Sequence, residues 1–403
     1  MHTLNSPAVR STVSSLQSGS TRQRVSRRNL ATLELPIPPL LEQHRIVAAI
    51  EEQFSRLDAG VSALERVRAN LKRYRTAVLK AAVEGRLTEA WREENPNVEP
   101  ASELLERILK ERREQWEKNQ LAAYEKKGKK PPKNWQSKYR EPADPNTEEL
   151  PELPQGWCWT SVEQLTSLLR NGLSQKPADT PPGYRTLRIS AVRPMRVDMS
   201  DIRFLDLPEE KVHSFVLEED DLLFTRYNGS INLLGVAGRV PPHSSPTLHP
   251  DKLIRVKATR NGVKPAYLEI SSNAGVSREH IRRKARTTAG QTGVSGADIR
   301  QMPVPLPPLV EQEQIVAEVE RRLSILQEVE AEVEANLKRA ARLRQSILKR
   351  AFEGKLVPQD PADEPASELL ARIKAQRERN APIKRRKRGR AREEPTEAQA
   401  GLF

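Results

Sequence analysis

Several scarcities limit what this chain can be. Among its 403 residues there is one cysteine, Cys158, so no internal disulfide and no cysteine-built zinc site can form, and a reducing compartment fits. Aromatic residues make up 4% and hydrophobic residues 36%, low for one compact core but ordinary for long exposed helices beside a smaller globular part. No apolar run approaches the length that crosses a bilayer, and the polar N-terminus lacks the apolar stretch of a signal peptide. A cytoplasmic chain with no membrane partner is expected. Enzyme signatures are scarce too. There is no glycine-rich phosphate loop closing on Lys-Ser or Lys-Thr, no dinucleotide glycine fingerprint and no Asn/Asp-Pro-Pro-aromatic motif of amino-methyltransferases. The six histidines include no close pair at helical spacing, so no zinc-protease pattern arises. The expectation is a chain with no catalytic residue, cofactor or metal of its own.

What is abundant is charge. Sixty-eight Lys and Arg stand against 54 Asp and Glu, a formal net charge of +14. Such an excess suggests a polyanionic partner, usually DNA or RNA.

The strongest pattern is an internal repeat. Residues 35–43 read LPIPPLLEQ and residues 304–312 read VPLPPLVEQ, an offset of 269. The same offset pairs Ile46-Val47-Ala48 with Ile315-Val316-Ala317, Leu79-Lys80 with Leu348-Lys349, and Glu84-Gly85 with Glu353-Gly354. PASELL recurs at 100–105 and 365–370, an offset of 265 that a short deletion in the second copy explains. Each copy reads as one long helix. Pro38-Pro39 and Pro307-Pro308 suit its entry, and Gly85 and Gly354 its exit. Between them Ile50, Leu57, Leu64, Leu71 and Val78 recur every seven residues, as do Val319, Leu326, Val333, Ala340 and Ile347. That is a coiled-coil seam, roughly 60 Å long at about 1.5 Å per residue. A second column holds Phe54, Val61, Arg68, Arg75 and Ala82 in one copy and Leu323, Glu330, Leu337, Arg344 and Ala351 in the other. Arg68 and Glu330 lie nearly symmetric about the helix middle, which predicts antiparallel pairing with these two as a register-setting ion pair.

The expected fold is α+β: a globular α/β domain plus two long helices packed as an antiparallel coiled coil. Residues 1–38 are read as the end of a first globular domain, 39–86 as the first long helix, and 87–154 as a linker carrying a charged helix at about 101–127. Residues 155–305 form the intact globular domain, 306–356 the second long helix, and 357–403 a short helix with a basic tail. The first segment is assigned because Val25-Ser26 aligns with Val294-Ser295 at the repeat offset, so 1–34 look like the tail of a largely missing domain copy. In the intact domain, short apolar runs (186–192, 222–225, 236–240, 253–256) alternate with turns, and Asn228-Gly229 predicts a hairpin tip. The domain holds 21 Lys and Arg against 15 Asp and Glu between residues 157 and 302. Its run from Arg278 to Arg286 suits either backbone phosphates or a solvated helix face.

These residues resemble the specificity subunits of type I restriction-modification enzymes. The resemblance rests on LPIPPLLEQHRIV and VPLPPLVEQEQIV, on VEGRL and FEGKL after the helices, and on LPQGWCW (153–159), DLLFTRYNGS (221–230) and GQTGVSG (290–296). It covers about residues 20 to 375. It implies a non-catalytic subunit in which two target-recognition domains each read half of a split site on double-stranded DNA, and the paired helices set the spacing. It also implies methyltransferase (M) subunits docked on the scaffold and a restriction (R) subunit that translocates. S-adenosylmethionine, ATP and Mg then belong to those partners. The sequence departs from the pattern in its first domain, and Arg24 stands where the intact copy has Gly293. A truncated gene, a misplaced start and a subunit completed by another chain all stay open, as does a shortened subunit that reads a half-site or serves only as a coiled-coil scaffold.

For direct readout, Arg suits guanine and Asn or Gln suits adenine. Arg226, Asn228 and Ser230 at the expected tip, and Gln291 and Thr292 between glycines, are candidate DNA contacts, with Arg188 and Arg193 flanking a strand. Lys384 to Arg392 holds seven basic residues in nine, read as a tail adding non-specific DNA affinity.

Overall fold

The computed structural model describes residues 5–19, 22–259, 261–288 and 291–380; the basic run 384–392 lies outside them. The two repeat helices are Leu40–Val83 and Leu309–Phe352, 44 residues each. Their starts are closed by the last residue of the repeated motif. Gln43 Nε2 donates to the carbonyl of Pro38 (2.9 Å), and Gln312 Nε2 to that of Pro307 (3.1 Å). Their ends are closed by glycine. Gly85 (φ +70°) and Gly354 (φ +68°) turn left-handed, and the N–H groups of Arg86 and Lys355 reach back to the carbonyls of Ala81 and Arg350. This satisfies carbonyls that the helix end would otherwise orphan.

The chain divides into two compact units, and the division crosses both helices: residues up to Arg66 with those from Val333, and Val67–Glu332. In the first unit the start of the first helix packs on the end of the second, through Ile46, Ile50, Ile347, Leu348 and Ala351. In the second, Val78, Leu79, Ala82 and Val83 share a core with Ile315, Val319, Leu323 and Leu326. The pairing is antiparallel in each. Of the heptad residues, Ile50, Val78, Val319, Leu326, Val333, Ala340 and Ile347 are buried, and Leu57, Leu64 and Leu71 half-buried.

The ion-pair expectation needs correcting. Glu330 bonds to Arg75 (3.0 Å), one heptad beyond Arg68. The expectation assumed flush helix ends, with Leu40 against Phe352 and Glu330 against residue 62. Glu330 meets a residue thirteen further on, and Arg344 pairs with Asp58, ten beyond its flush position. The helices are therefore staggered. The start of each overhangs the end of its partner, and the segment after the partner folds back over it. In the first unit this gives Arg45–Asp363 (2.5 Å); in the second it gives the contacts of Glu311 described below.

The second unit holds the globular domain. Its strands are β1 Cys158–Ser161, β2 Thr166–Asn171, β3 Tyr184–Leu187, β4 Val192–Arg193, β5 Arg196–Val197, β6 Ile202–Leu205 and β7 Leu222–Thr225. They continue as β8 Tyr227–Asn228, β9 Ala237–Arg239, β10 Thr247–Leu248, β11 Leu253–Ala258, β12 Arg286–Thr288, β13 Gln291–Gly293 and β14 Pro303–Leu306. The central sheet runs β2-β11-β7-β9, all antiparallel. Alternation sorts its two faces. Leu222, Phe224, Ile254 and Val256 enter the large core that includes Tyr267, Leu268 and Ile281 of the helices Pro265–Ser272 and Gly275–Lys284. Leu223 and Leu253 face a smaller core with Leu187, Val192 and Val197.

Asn228-Gly229 is not the tip of a two-residue hairpin. Neither residue has the positive φ a type I′ turn requires. The hairpin is β7–β9, with Leu222 opposite Arg239 and Phe224 opposite Ala237, and residues 226–236 form a wide excursion between them. Arg278 holds that excursion. It donates to the carbonyls of Ile231 and Asn232 (3.0 Å each) and of Leu234. It is buried at 7% exposure, and burial pushes its guanidinium down to about 10. Arg278 is therefore a structural residue, neither a phosphate ligand nor part of a solvated face.

Candidate nucleic-acid interface

The excursion supplies β8, whose partner lies more than sixty residues further along the chain. β8 pairs with β13, which pairs with β12, in a three-stranded antiparallel sheet. Asn228 lies directly opposite Thr292, and Tyr227 opposite Gly293. Thr292 is in turn opposite Thr287, their hydroxyls 3.2 Å apart. Gly293 is needed for this approach: a Cβ there would stand 2.7 Å from the Tyr227 ring. The same ring carries the Arg226 guanidinium, 4.9 Å above its centre. Arg226 is fixed through its backbone as well, its N–H donating to Lys252 (2.8 Å) and its carbonyl accepting from Val294 (3.0 Å). Its Nη1 lies 3.4 Å from the carbonyl of Asp251, leaving the rest of the guanidinium fork for other acceptors. The Asn228 side chain accepts from the N–H of Ser230 (3.0 Å), an Asx turn that aims the exposed end of the excursion.

The fold thus brings five of the seven candidate contacts, Arg226, Asn228, Ser230, Gln291 and Thr292, onto one small sheet and its edge. It also adds Arg286, on β12 opposite Gly293 and 75% exposed at its side chain. Arg188 and Arg193 are placed elsewhere. Arg188 faces Asp201 (3.5 Å) and Arg193 lies opposite Arg196 in the β4–β5 ladder. Among the described residues no hydrogen bond or ion pair joins either to the β8–β13 ladder. Of the basic run, Arg283 is paired with Glu149 (2.8 Å). Composition could not separate these fates, because burial, pairing and presentation are decided by distant partners.

Sequence reasoning also missed a joint. Glu311, of the second Pro-Pro-Leu-x-Glu-Gln motif, is fully buried. One carboxylate oxygen accepts from Thr88 Oγ1 (2.6 Å) and from Arg92, and the other from Trp157 Nε1 (2.8 Å). Arg92 also donates to the carbonyl of Gly85 (2.8 Å) and lies over the Trp157 ring. Gln312 Oε1 accepts from the backbone of Lys264 (2.8 Å), and Tyr267 Oη donates to Pro305 (2.6 Å). Strand β1 then zips antiparallel onto β14, just ahead of the helix. One motif therefore fastens the globular domain to the helix pair. The signal was available in the glutamate: the glutamine serves the helix start in both copies, whereas the glutamate beside it has no such duty.

A presenting sheet of Arg, Asn, Gln and Thr, rooted through a buried joint in a staggered helix pair, defines a recognition module mounted on a scaffold. No family model matches the chain. It is 33% identical over 386 residues to the type I restriction enzyme EcoKI specificity subunit of Escherichia coli (strain K12), covering 93% of this chain and 71% of that protein. It is 26% identical over 384 residues to the StySPI specificity subunit of Salmonella potsdam, with the same coverages of 93% and 71%. A chain from a structure of complex assembly and conformational transition in the type I R-M system shares the fold, with TM-score 0.53 at 16% identity, covering 88% of this chain and 70% of that one. The chain belongs to the type I restriction enzyme specificity subunits. Among the described residues no helix is long and apolar enough to cross a membrane.

Proposed function

We propose that this chain reads double-stranded DNA for a type I restriction-modification complex and performs no chemistry itself. The observation that carries the reading is the convergence of Arg226, Asn228, Gln291 and Thr292 on one sheet from segments far apart in sequence. An arginine stacked on a tyrosine keeps its donor fork preorganised for a guanine edge, and the carboxamides match adenine. Ser230 and Arg286 border that surface and reach bases or phosphates beside it. Arg188 and Arg193, away from the sheet, contribute phosphate contacts, which position the domain without reading sequence. The described residues hold one such domain, which accounts for one half of a split site. The helix pair acts as spacer and as the seat for methyltransferase and restriction subunits. S-adenosylmethionine, ATP and Mg act in those partners, in the cytoplasm, where the lone thiol of Cys158 stays reduced.

The test is Arg226→Ala in the assembled complex, with selection from a random duplex library. The expected outcome is loss of preference at one base pair, by about 1–3 kcal/mol, with subunit assembly unchanged. An unchanged selected motif would remove Arg226 from the reading surface.

A further inference from the structure

The helix Ala101–Lys126 does more than link. Its base is anchored: Ala101, Leu104 and Ile108 are buried in the main core. Its middle is clamped. Arg112 donates to the carbonyls of Glu163 (2.5 Å) and Thr166, Trp116 stacks on Trp135 (5.9 Å) and meets Tyr139 (5.2 Å), and Arg113 lies over the Tyr139 ring. Beyond the clamp the helix runs on mostly exposed, with Glu117, Gln120 and Tyr124 half-buried. Lys126 is ten residues past Trp116, about 15 Å of helix. There Gly128 (φ +62°) turns the chain, with the N–H groups of Lys127, Gly128 and Lys129 bonded back to Tyr124 and Glu125.

The turned segment 126–133 reads Lys-Lys-Gly-Lys-Lys-Pro-Pro-Lys, five lysines in eight residues with no acid. All five are exposed, and among the described residues none is paired with a carboxylate. A helix C-terminus favours a cation in its last turn, which accounts for one or two of them. The rest repel each other and gain nothing from the fold.

We propose that the tip Lys126–Lys133 is a sequence-neutral contact for DNA phosphates, carried on a stiffened arm. Lysine is suited to this: its ammonium is a mobile point charge that follows a phosphate backbone without selecting bases. The proposal rests on the functional reading above for the identity of the polyanion.

The test uses the full chain with Lys126, Lys127, Lys129, Lys130 and Lys133 all changed to Gln, titrated with a random-sequence duplex over a range of salt. Each lost phosphate contact lowers the slope of log K against log salt by roughly 0.9, so a reduction of about 3 is expected, with affinity at about 0.1 M salt falling on the order of 100-fold. A second variant with the same lysines changed to Arg keeps the slope. A third, with five charges removed from exposed helix faces (Arg66, Lys72, Arg73, Lys338 and Arg342 to Gln), loses far less. An unchanged slope in the first variant, or an equal loss in the third, overturns the proposal. So does an unchanged slope accompanied by lost methyltransferase binding, which would make the tip a protein-docking site. Competition between duplexes of different sequence reads the recognition sheet separately: selectivity retained with an unchanged slope sinks the arm alone, and a lowered slope without selectivity sinks only the reading surface.

Discussion

Replacing Glu311 by alanine tests the joint. The side chain is fully buried and takes three donors, from Thr88, Arg92 and Trp157. Removing one member of a buried ion pair typically costs about 3–5 kcal/mol, because the remaining charge loses its partner. Arg92 is 17% exposed at its side chain, so water relieves part of that, and the lower end applies. Thr88 and the Trp157 indole are left as unsatisfied donors at about 1 kcal/mol or more each. A total near 4–5 kcal/mol follows. The repeat provides the control. Glu42 occupies the equivalent position and is 4% exposed, yet no hydrogen bond to its carboxylate occurs among the described residues. Glu42→Ala should cost about 1 kcal/mol or less. Urea unfolding of both variants gives the comparison, and replacing Arg92 and Glu311 together by Leu should recover at least half of the single-variant loss. Similar midpoints for Glu311→Ala and Glu42→Ala would refute the joint.

Three further outcomes are expected. Reversing either charge of Arg75–Glu330 lowers the unfolding midpoint, and reversing both restores it, with a coupling of about 0.5–1 kcal/mol for a pair about one-third exposed; no coupling removes this pair as a register device. Gly293→Ala pushes a methyl against the Tyr227 ring, costing about 1–3 kcal/mol and weakening base selectivity in a duplex competition assay, whereas an undisturbed selectivity would mean that the ring moves aside freely. Burial raises the Glu269 carboxyl to about 7, above the 4.5 it has when unfolded, so the folded chain holds a proton that the unfolded chain has released. That stabilisation is complete below pH 4.5 and is lost as pH rises to about 7, so Glu269→Gln should remove up to about 3 kcal/mol of pH dependence across this window in urea titrations.

The paired helices were legible because their causes are local and repeated: proline at entry, glycine at exit, an apolar residue every seventh. Their stagger was not. It is set by what covers each overhang, Asp363 on Arg45 and Arg92 on Glu311, and neither contact is visible in the heptads. In the globular domain the apolar runs marked strands such as β7 and β11, while strand order stayed hidden because ladders such as β8–β13 join residues far apart. Asn-Gly misled for that reason. The dipeptide has the chemistry of a tight turn, but Arg278 binds three carbonyls of the excursion and holds it open. Tertiary contacts outweighed a local preference. The sheet divided the candidate residues: those within reach of Gly293 gather, and Arg188 and Arg193 stay with Asp201 and Arg196.

The two copies of the Pro-Pro-Leu-x-Glu-Gln motif separate what it does for a helix from what it does for a domain. In both, Gln reaches back to a proline carbonyl and the helix begins at the same place, so helix entry is decided within the motif. Among the described residues, only around the second copy do a strand, an indole and a guanidinium close over it. There Val304 and Leu306 are completely buried, whereas their counterparts Leu35 and Ile37 are 40% and 44% exposed; further along the copies agree, with Ile46 and Ile315 buried and Leu41 and Val310 exposed. Around the first copy, Ile46 and Ile50 pack on Ile347, Leu348 and Ala351. Around the second, the candidate sheet is rooted in a core whose polar centre is Glu311. Loosening that carboxylate should disturb how the reading surface is held relative to the helices before it disturbs the helices themselves. In hydrogen exchange on Glu311→Ala, amides of β1 and β14 should lose protection while those around Ile50 and Ile347 keep theirs. Equal loss at both places would mean that the helix pair and the domain unfold as one body, and that the motif has no separate role as a joint.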